Sequence, residues 1–367
     1  MPCSNEAGSR QDKGEPVEKK ETERFALIGH PLGHSLSPEI HALIFRALGI
    51  DGRYDLIDVP PGDLALSAKK LLSDYRGFNC TIPYKKSIIP YLDTTDEKAG
   101  LFSAVNTVYK KKGYNTDAAG FAAAGFSYQG CRLLVLGSGG AARIMIHTAA
   151  AGGAAEIVIK SRTPEKLKDL LISLRSRYPQ CRFAAISDLR ETEAAFHYIL
   201  NATPLGMWPQ AGGLPLPREA YLRLLQTKEI RAVFDAVYNP PATRFVLLAR
   251  SSGVRAEGGL RMLFHQAVEA QKIWHPELKE RFDDPGVRET LRRGRQGLAL
   301  KLFTDFPQKI LLTGFMAAGK STLARKLSEA IGRPEAFVDS DDYIEKAAGR
   351  PVREIFRKEG EAAFRLM

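Results

Sequence analysis

Long apolar runs are missing from this chain. No stretch of its 367 residues reaches the roughly 18 consecutive apolar positions that a membrane helix requires. The N-terminus carries charges where a signal peptide would have an apolar segment. Cysteine is scarce: Cys3, Cys80, Cys131 and Cys181 lie far apart with no C-x-x-C pair, which argues against a zinc knuckle and a disulfide framework and points to a reducing, cytoplasmic setting. Hydrophobic residues at 44% and charged residues at 26% exclude a disordered, collagen-like or coiled-coil chain. Lys plus Arg at 53 against Asp plus Glu at 42 gives +11, which suits small anions, nucleic acid or a membrane surface. The one local basic cluster, Arg288, Arg292, Arg293 and Arg295, lacks the interleaved aromatics of a single-strand groove and reads as a solvated face. No nucleic-acid or membrane partner is expected, and monomer and homodimer both stay open.

At roughly 150 residues per domain the length predicts two domains and a remainder. Residues 1–23 mix Lys, Glu, Ser and Gly with almost nothing apolar and read as a disordered tail. Phe25 to Gly29 reads as a buried strand. A helix follows from Ser37, which can cap it, with Pro38 in the first turn, Ile40, Leu43, Ile44, Ala47 and Leu48 on one face, and Gly49 as the stop. Strand and helix alternate twice more to about residue 110. Strands are also expected at Arg132 to Leu136, Glu156 to Lys160, His197 to Leu200 and Ala232 to Asp235, and a helix at about Leu260 to Trp274. Residues 276–308 lose periodicity and read as a linker with one short helix at most. At Lys309 a new strand-loop-helix unit is predicted.

Gly137-x-Gly139-x-x-Ala142 follows a strand and opens a helix, as in a dinucleotide fingerprint. The first glycine permits the tight turn, the second lets a pyrophosphate approach, and the small third residue lets helix and strand pack. The phosphates would lie on the helix N-terminus beside Gly137, Ser138, Gly139, Gly140 and Ala141. An NAD site has an acidic residue at the end of the second strand. Here Ser161, Arg162, Thr163 and Lys166 offer cations and hydroxyls suited to a 2′-phosphate, so NADP is expected.

Gly29 to Pro38, with its Ser35 and Ser37, resembles the substrate loop of shikimate dehydrogenases. The likeness continues over residues 24–275 through Asn79-Cys80-Thr81-Ile82-Pro83-Tyr84-Lys85, Ala104 to Thr107, Asn115-Thr116-Asp117, Asn201 to Met207, Asp235 to Tyr238 and Gly259 to Gln266. The resemblance implies an α/β protein with two lobes. Residues 24–120, completed by the helix at about 260–275, would form the shikimate-binding lobe, and residues 121–255 a Rossmann-like NADP lobe. It implies reversible, NADP-dependent reduction of 3-dehydroshikimate to shikimate, with a quinate-accepting relative as the alternative. Ser35, Ser37, Thr81, Asn106, Asp117, Tyr238 and Gln266 would contact the substrate, Lys85 and Asp117 would carry the proton chemistry, and Glu97, Ala236 and Gly259 would lie near the nicotinamide.

Gly314 to Ser321 fits G-x-x-x-x-G-K-[ST] with Gly314, Gly319, Lys320 and Ser321 at the fixed positions. Such a loop cradles phosphates, with the lysine on the β- and γ-phosphates and the serine on Mg²⁺. Together with Asp339, Asp341 and Arg365 it resembles the N-terminal part of shikimate kinase, as a partial P-loop α/β unit over 309–367. That resemblance implies Mg-ATP, Mg²⁺ held by Ser321 and Asp339, and shikimate contacts from Asp341 and Arg365. A kinase of this class needs roughly 150 residues, far more than follow Lys309, so no kinase activity is expected from this stretch.

Overall fold

In this computed structural model, residues 22–32, 35–192, 195–305, 310–314, 318–330 and 334–366 are described. The chain divides into two compact units, residues 1–116 with 266–288, and residues 117–265 with 289–367.

The first unit is built on β1 (Glu23–Gly29), α1 (Ser37–Leu48), β2 (Gly52–Asp58), α2 (Leu64–Asp74), β3 (Gly77–Cys80), α3 (Tyr84–Ser87), β4 (Thr94–Thr95), α4 (Glu97–Phe102), β5 (Thr107–Tyr109) and β6 (Lys112–Tyr114). Its sheet runs in the order β2-β1-β3-β5-β6-β4, with β1 parallel to β2 and β3, and β5 antiparallel to β3 and β6. The expected strand at 25–29 begins two residues earlier, at Glu23, inside the stretch read as tail. Glu23 belongs to the fold because its carboxylate pairs with Arg76 at 3.0 Å and with His275 at 2.6 Å. Ala26, Ile28, Phe78, Val105 and Val108 form the core of this unit. A second cluster closes on Trp274, which stacks on Phe25 at 4.7 Å and donates from Nε1 to the Val108 carbonyl at 3.0 Å. Gly77 is required there, since a Cβ on it would fall 2.3 Å from the indole nitrogen.

The second unit holds α5 (Asp117–Ala122), β7 (Arg132–Leu136), α6 (Gly140–Ala151), β8 (Glu156–Lys160), α7 (Lys168–Arg177), β9 (Arg182–Ile186), β10 (Tyr198–Asn201), α8 (Arg218–Leu225), β11 (Ala232–Asp235), α9 (Arg244–Ser251) and β12 (Arg255–Glu257). Its six strands are parallel, in the order β12-β11-β10-β7-β8-β9. That is the doubly wound order, and it reverses between β7 and β10, where such sheets bind ligands. Parallel strands are covered on both faces, so they read as continuous apolar runs such as Leu133 to Leu136. The helix α10 (Leu260–Trp274) begins in this unit and ends in the first.

Residues 276–308 hold more structure than a linker with one short helix. Pro276–Asp283 forms a 3-10 helix and α11 (Pro285–Asp305) runs for 21 residues. Val287, Leu291, Leu298 and Leu302 are buried along it, an apolar stripe that the Arg-rich texture obscures. The C-terminal part contains α12 (Lys320–Ala330), α13 (Ser340–Ala348) and α14 (Val352–Leu366). The strand expected at 309–313 is absent: Lys309 lies outside the described residues and 310–314 adopt no strand. A strand needs a ladder partner, and neither sheet extends to one here. Among the described residues no helix is long and apolar enough to cross a membrane.

Candidate active site

In the first unit, the turn after β1 leads to Ser35 and Ser37. Ser35 Oγ accepts from the Ser37 backbone N–H at 3.2 Å, and the two hydroxyls lie 3.0 Å apart. Ser37 therefore stands inside α1 and does not cap it, and the hydroxyl that meets the helix start is that of Ser35. Gly33 and His34 of this loop lie outside the described residues. After β3, the Thr81 N–H donates to Ile28 O at 2.9 Å and Thr81 O accepts from Tyr84 N–H at 2.8 Å. Tyr84 is buried and its hydroxyl donates to Val59 O, fixing the short helix that carries Lys85. Lys85 is half-buried, and its carbonyl accepts from Val105 N–H at 2.7 Å. Burial pushes the neighbouring Cys80 thiol far above its ordinary value, and the Lys85 charge pulls the other way.

The centre of this unit is a knot of buried amides and hydroxyls. Asn106 Nδ2 donates to Thr116 Oγ1 at 2.9 Å and to Gln266 Oε1 at 3.3 Å, while its Oδ1 accepts from Thr116 N–H at 2.8 Å. Asn79 Nδ2 donates to the Asn106 carbonyl and to Thr107 Oγ1, both at 2.9 Å. Asn79, Thr107 and Thr116 entered the sequence reading as motif positions only, with no site role. The available signal was an amide in the otherwise apolar strand Gly77 to Cys80, a position that apolar residues would fill unless a polar partner were required. Glu97 opens α4 and is exposed, under an Asp96 cap that accepts from Ala99 N–H at 2.7 Å.

In the second unit, Asp117 starts α5 and is 7% exposed. The glycine turn sits at the sheet's reversal point. Gly137 has φ +104°, and a Cβ there would stand 3.1 Å from Thr203 of the loop after β10. The N-terminus of α6 has no side-chain cap, and added Cβ atoms at Gly139 and Gly140 would meet open space, so its backbone N–H groups can receive phosphate. Ser138 Oγ and Ser161 Oγ lie 3.4 Å apart, and Ser161 Oγ accepts from Thr163 N–H at 3.3 Å. Arg162, Thr163 and Lys166 are exposed beyond β8. The turn thus fits a dinucleotide with an extra phosphate.

Ala236 and Gly259 come together, since a Cβ on Gly259 would fall 2.1 Å from the Ala236 carbonyl oxygen. Tyr238 follows on the same loop, which Asp235 organises. Its carboxylate accepts from Thr243 Oγ1 at 2.6 Å, Asn201 Nδ2 at 2.9 Å and Val237 N–H at 3.0 Å. Burial raises the Asp235 carboxyl to about 6, against those three hydrogen bonds. A raised carboxyl binds its proton more tightly in the folded state, so its contribution to stability falls as pH rises from about 4 to about 6. Measured by urea unfolding, the stability of the native chain relative to Asp235→Asn should drop by up to about 3 kcal/mol across that window. A difference independent of pH would contradict the shift.

Set beside known proteins, residues 27–108 match the family model described as shikimate dehydrogenase substrate binding domain. The chain is 40% identical over 269 residues, 70% of its length, to the shikimate dehydrogenase (NADP(+)) of Moorella thermoacetica, 89% of which is covered. The chain belongs to the shikimate dehydrogenase family. Among solved structures of this family, a chorismate mutase/shikimate 5-dehydrogenase fusion from Clostridium acetobutylicum superposes with a TM-score of 0.65 at 32% identity, covering 77% of this chain and all of that one (100%). The Thermus thermophilus shikimate 5-dehydrogenase in complex with NADP(H) and shikimate gives 0.60 at 31% identity, over 74% and 99% of the two chains.

Residues 316–367 match a second family model, shikimate kinase. Gly314, two residues before that match, and Gly319 within it take φ values of +152° and +77°, and Lys320 opens α12. Ser321 Oγ donates to Asp339 Oδ2 at 2.8 Å, and Asp339 Oδ1 accepts from Asp341 N–H at 3.1 Å. Arg365 falls on α14, with its side chain outside the described residues.

Proposed function

We infer that this dehydrogenase catalyses the reversible reduction of 3-dehydroshikimate to shikimate with NADPH. The observation that carries the reading is the knot around Asn106: uncharged amides and hydroxyls, buried yet rich in hydrogen-bonding capacity, suited to a ring bearing several hydroxyls. Ser35, Ser37, Thr81, Asn106 and Gln266 supply donors and acceptors from the first unit. Asp117 and Tyr238 are assigned to the same substrate. We read the first unit as the substrate lobe and the second as the NADP lobe.

Bound NADPH supplies the hydride. Negative charge then develops on the ketone oxygen, and the Lys85 ammonium neutralises it by giving up a proton as the C–H bond forms. Solvent returns the proton to Lys85, so the sum is ketone, NADPH and H⁺ to alcohol and NADP⁺. Asp117 is assigned to the same proton chemistry and to accepting from the substrate hydroxyl. Gly137, Ser138, Gly139, Gly140 and Ala141 receive the pyrophosphate, Ser161, Arg162, Thr163 and Lys166 the 2′-phosphate, and Glu97, Ala236 and Gly259 border the nicotinamide. In the C-terminal part, Lys320 with Gly314 and Gly319 would hold the phosphates of Mg-ATP and Ser321 with Asp339 its Mg²⁺ in a complete kinase, where Asp341 and Arg365 would meet shikimate.

The test follows absorbance of reduced nicotinamide with shikimate or quinate against NADP⁺ or NAD⁺. Shikimate with NADP⁺ should give the highest kcat/KM. A higher value for quinate, or for NAD⁺, would overturn the corresponding half of the reading.

A further inference from the structure

His41 and Gln271 are fully buried polar side chains that the chemistry above does not touch. His41 lies on α1 one turn past Ser37, and Gln271 on α10 five residues past Gln266. Gln271 Nε2 donates to His41 Nδ1 at 2.8 Å, whereas Gln271 Oε1 has no hydrogen-bond partner among the described residues. A buried acceptor left unpaired is costly, and an apolar side chain at 271 would carry no such cost. The amide's presence therefore asks for a reason other than packing.

Burial lowers the imidazole to about 3, so the ring is neutral at working pH and Nδ1 can accept, while its buried Nε2 has no hydrogen-bond partner among the described residues. The ring lies flat on Tyr54, with centroids 4.0 Å apart and planes at 7°. Tyr54 in turn donates to Asn79 Oδ1 at 2.7 Å. His41 shares α1 with Ser37 and Gln271 shares α10 with Gln266, so this one hydrogen bond ties together two helices that each carry an assigned substrate contact.

We propose that the His41–Gln271 hydrogen bond is a positioning device that sets α1 against α10, so that Ser37 and Gln266 meet the same shikimate molecule in register. The inference rests on the shikimate reading above. Both residues act through others and neither touches substrate. A helix displaced by about 1 Å misplaces a hydrogen-bonding group enough to cost up to a hundredfold.

The experiment uses the full chain and measures separate KM values for shikimate and NADP⁺, kcat and Tm. The variants are Gln271→Leu, the shape-keeping Gln271→Met, His41→Phe, and His41→Phe combined with Gln271→Leu. Each single change should raise KM for shikimate about tenfold, with KM for NADP⁺ within about twofold and kcat within about threefold of native. The double variant should be no worse than the worse single, because the pair acts as a unit. An unchanged KM for shikimate overturns the proposal. So does a joint rise in both KM values with a fall in Tm, or the failure of every variant to fold, since each marks a structural role only. If the native chain does not oxidise shikimate, the functional reading itself fails, which is seen before any variant is made.

Discussion

Replacing Lys85 with alanine should lower kcat by roughly 10²- to 10⁴-fold, the range for losing a general acid, while KM for NADP⁺ stays near native. The fold should survive. The hydrogen bond that anchors this position, Val105 N–H to Lys85 O at 2.7 Å, belongs to the backbone, and the Tyr84 hydroxyl that pins the helix to Val59 is a neighbour's. Steady-state turnover with shikimate, beside a fluorescence titration with NADP⁺, separates the two effects. A variant with native turnover would remove Lys85 from the mechanism, and one that loses cofactor binding as well would show that the change had disturbed more than a proton donor.

The second large effect concerns cofactor choice. Arg162→Ala should raise KM for NADP⁺ by roughly ten- to a hundredfold, as expected for about 1.5–3 kcal/mol in hydrogen bonds to a charged phosphate. KM for NAD⁺, which has no 2′-phosphate, should not move. Arg162 is exposed and forms no ion pair among the described residues, so its loss should leave Tm unchanged. Equal losses for both cofactors would show that Arg162 supports the loop and does not read the phosphate.

Four strands of the second unit, β7, β8, β10 and β11, were legible because each is a run of apolar residues closed by glycine or a polar turn. Arg132 to Leu136 and Glu156 to Lys160 stand where periodicity put them, and β10 starts one residue later than expected. The helix at Leu260–Trp274 was equally plain from its amphipathic spacing. The 107–114 hairpin was not, since its three-residue strands carry too little pattern to separate from loop, and neither was β9, where Ala184 and Ala185 interrupt the run of large apolar residues that marks β7 and β8. Ser35, Asn106 and Gln266 were picked out through motifs, whereas His41, Tyr54 and Gln271 were not. Their importance lies in whom they bond to across long sequence separations, and local pattern does not record that. The missing strand at 310–314 makes the same point from the other side: an apolar run specifies a strand only when an edge exists to receive it.

The seat of Trp274 has a consequence for how the protein comes into being. Its ring fills the space that Gly77 leaves, and its bond to Val108 spans 166 residues of chain. During synthesis the first strands leave the ribosome long before the tryptophan that completes their core. The second unit, apart from its late helices, has by then emerged in one piece and can fold behind them. The part made first is therefore completed only after the sheet of the second unit has been made, and until residue 274 arrives its Phe25 and Phe45 faces are open to chaperones and to other nascent chains.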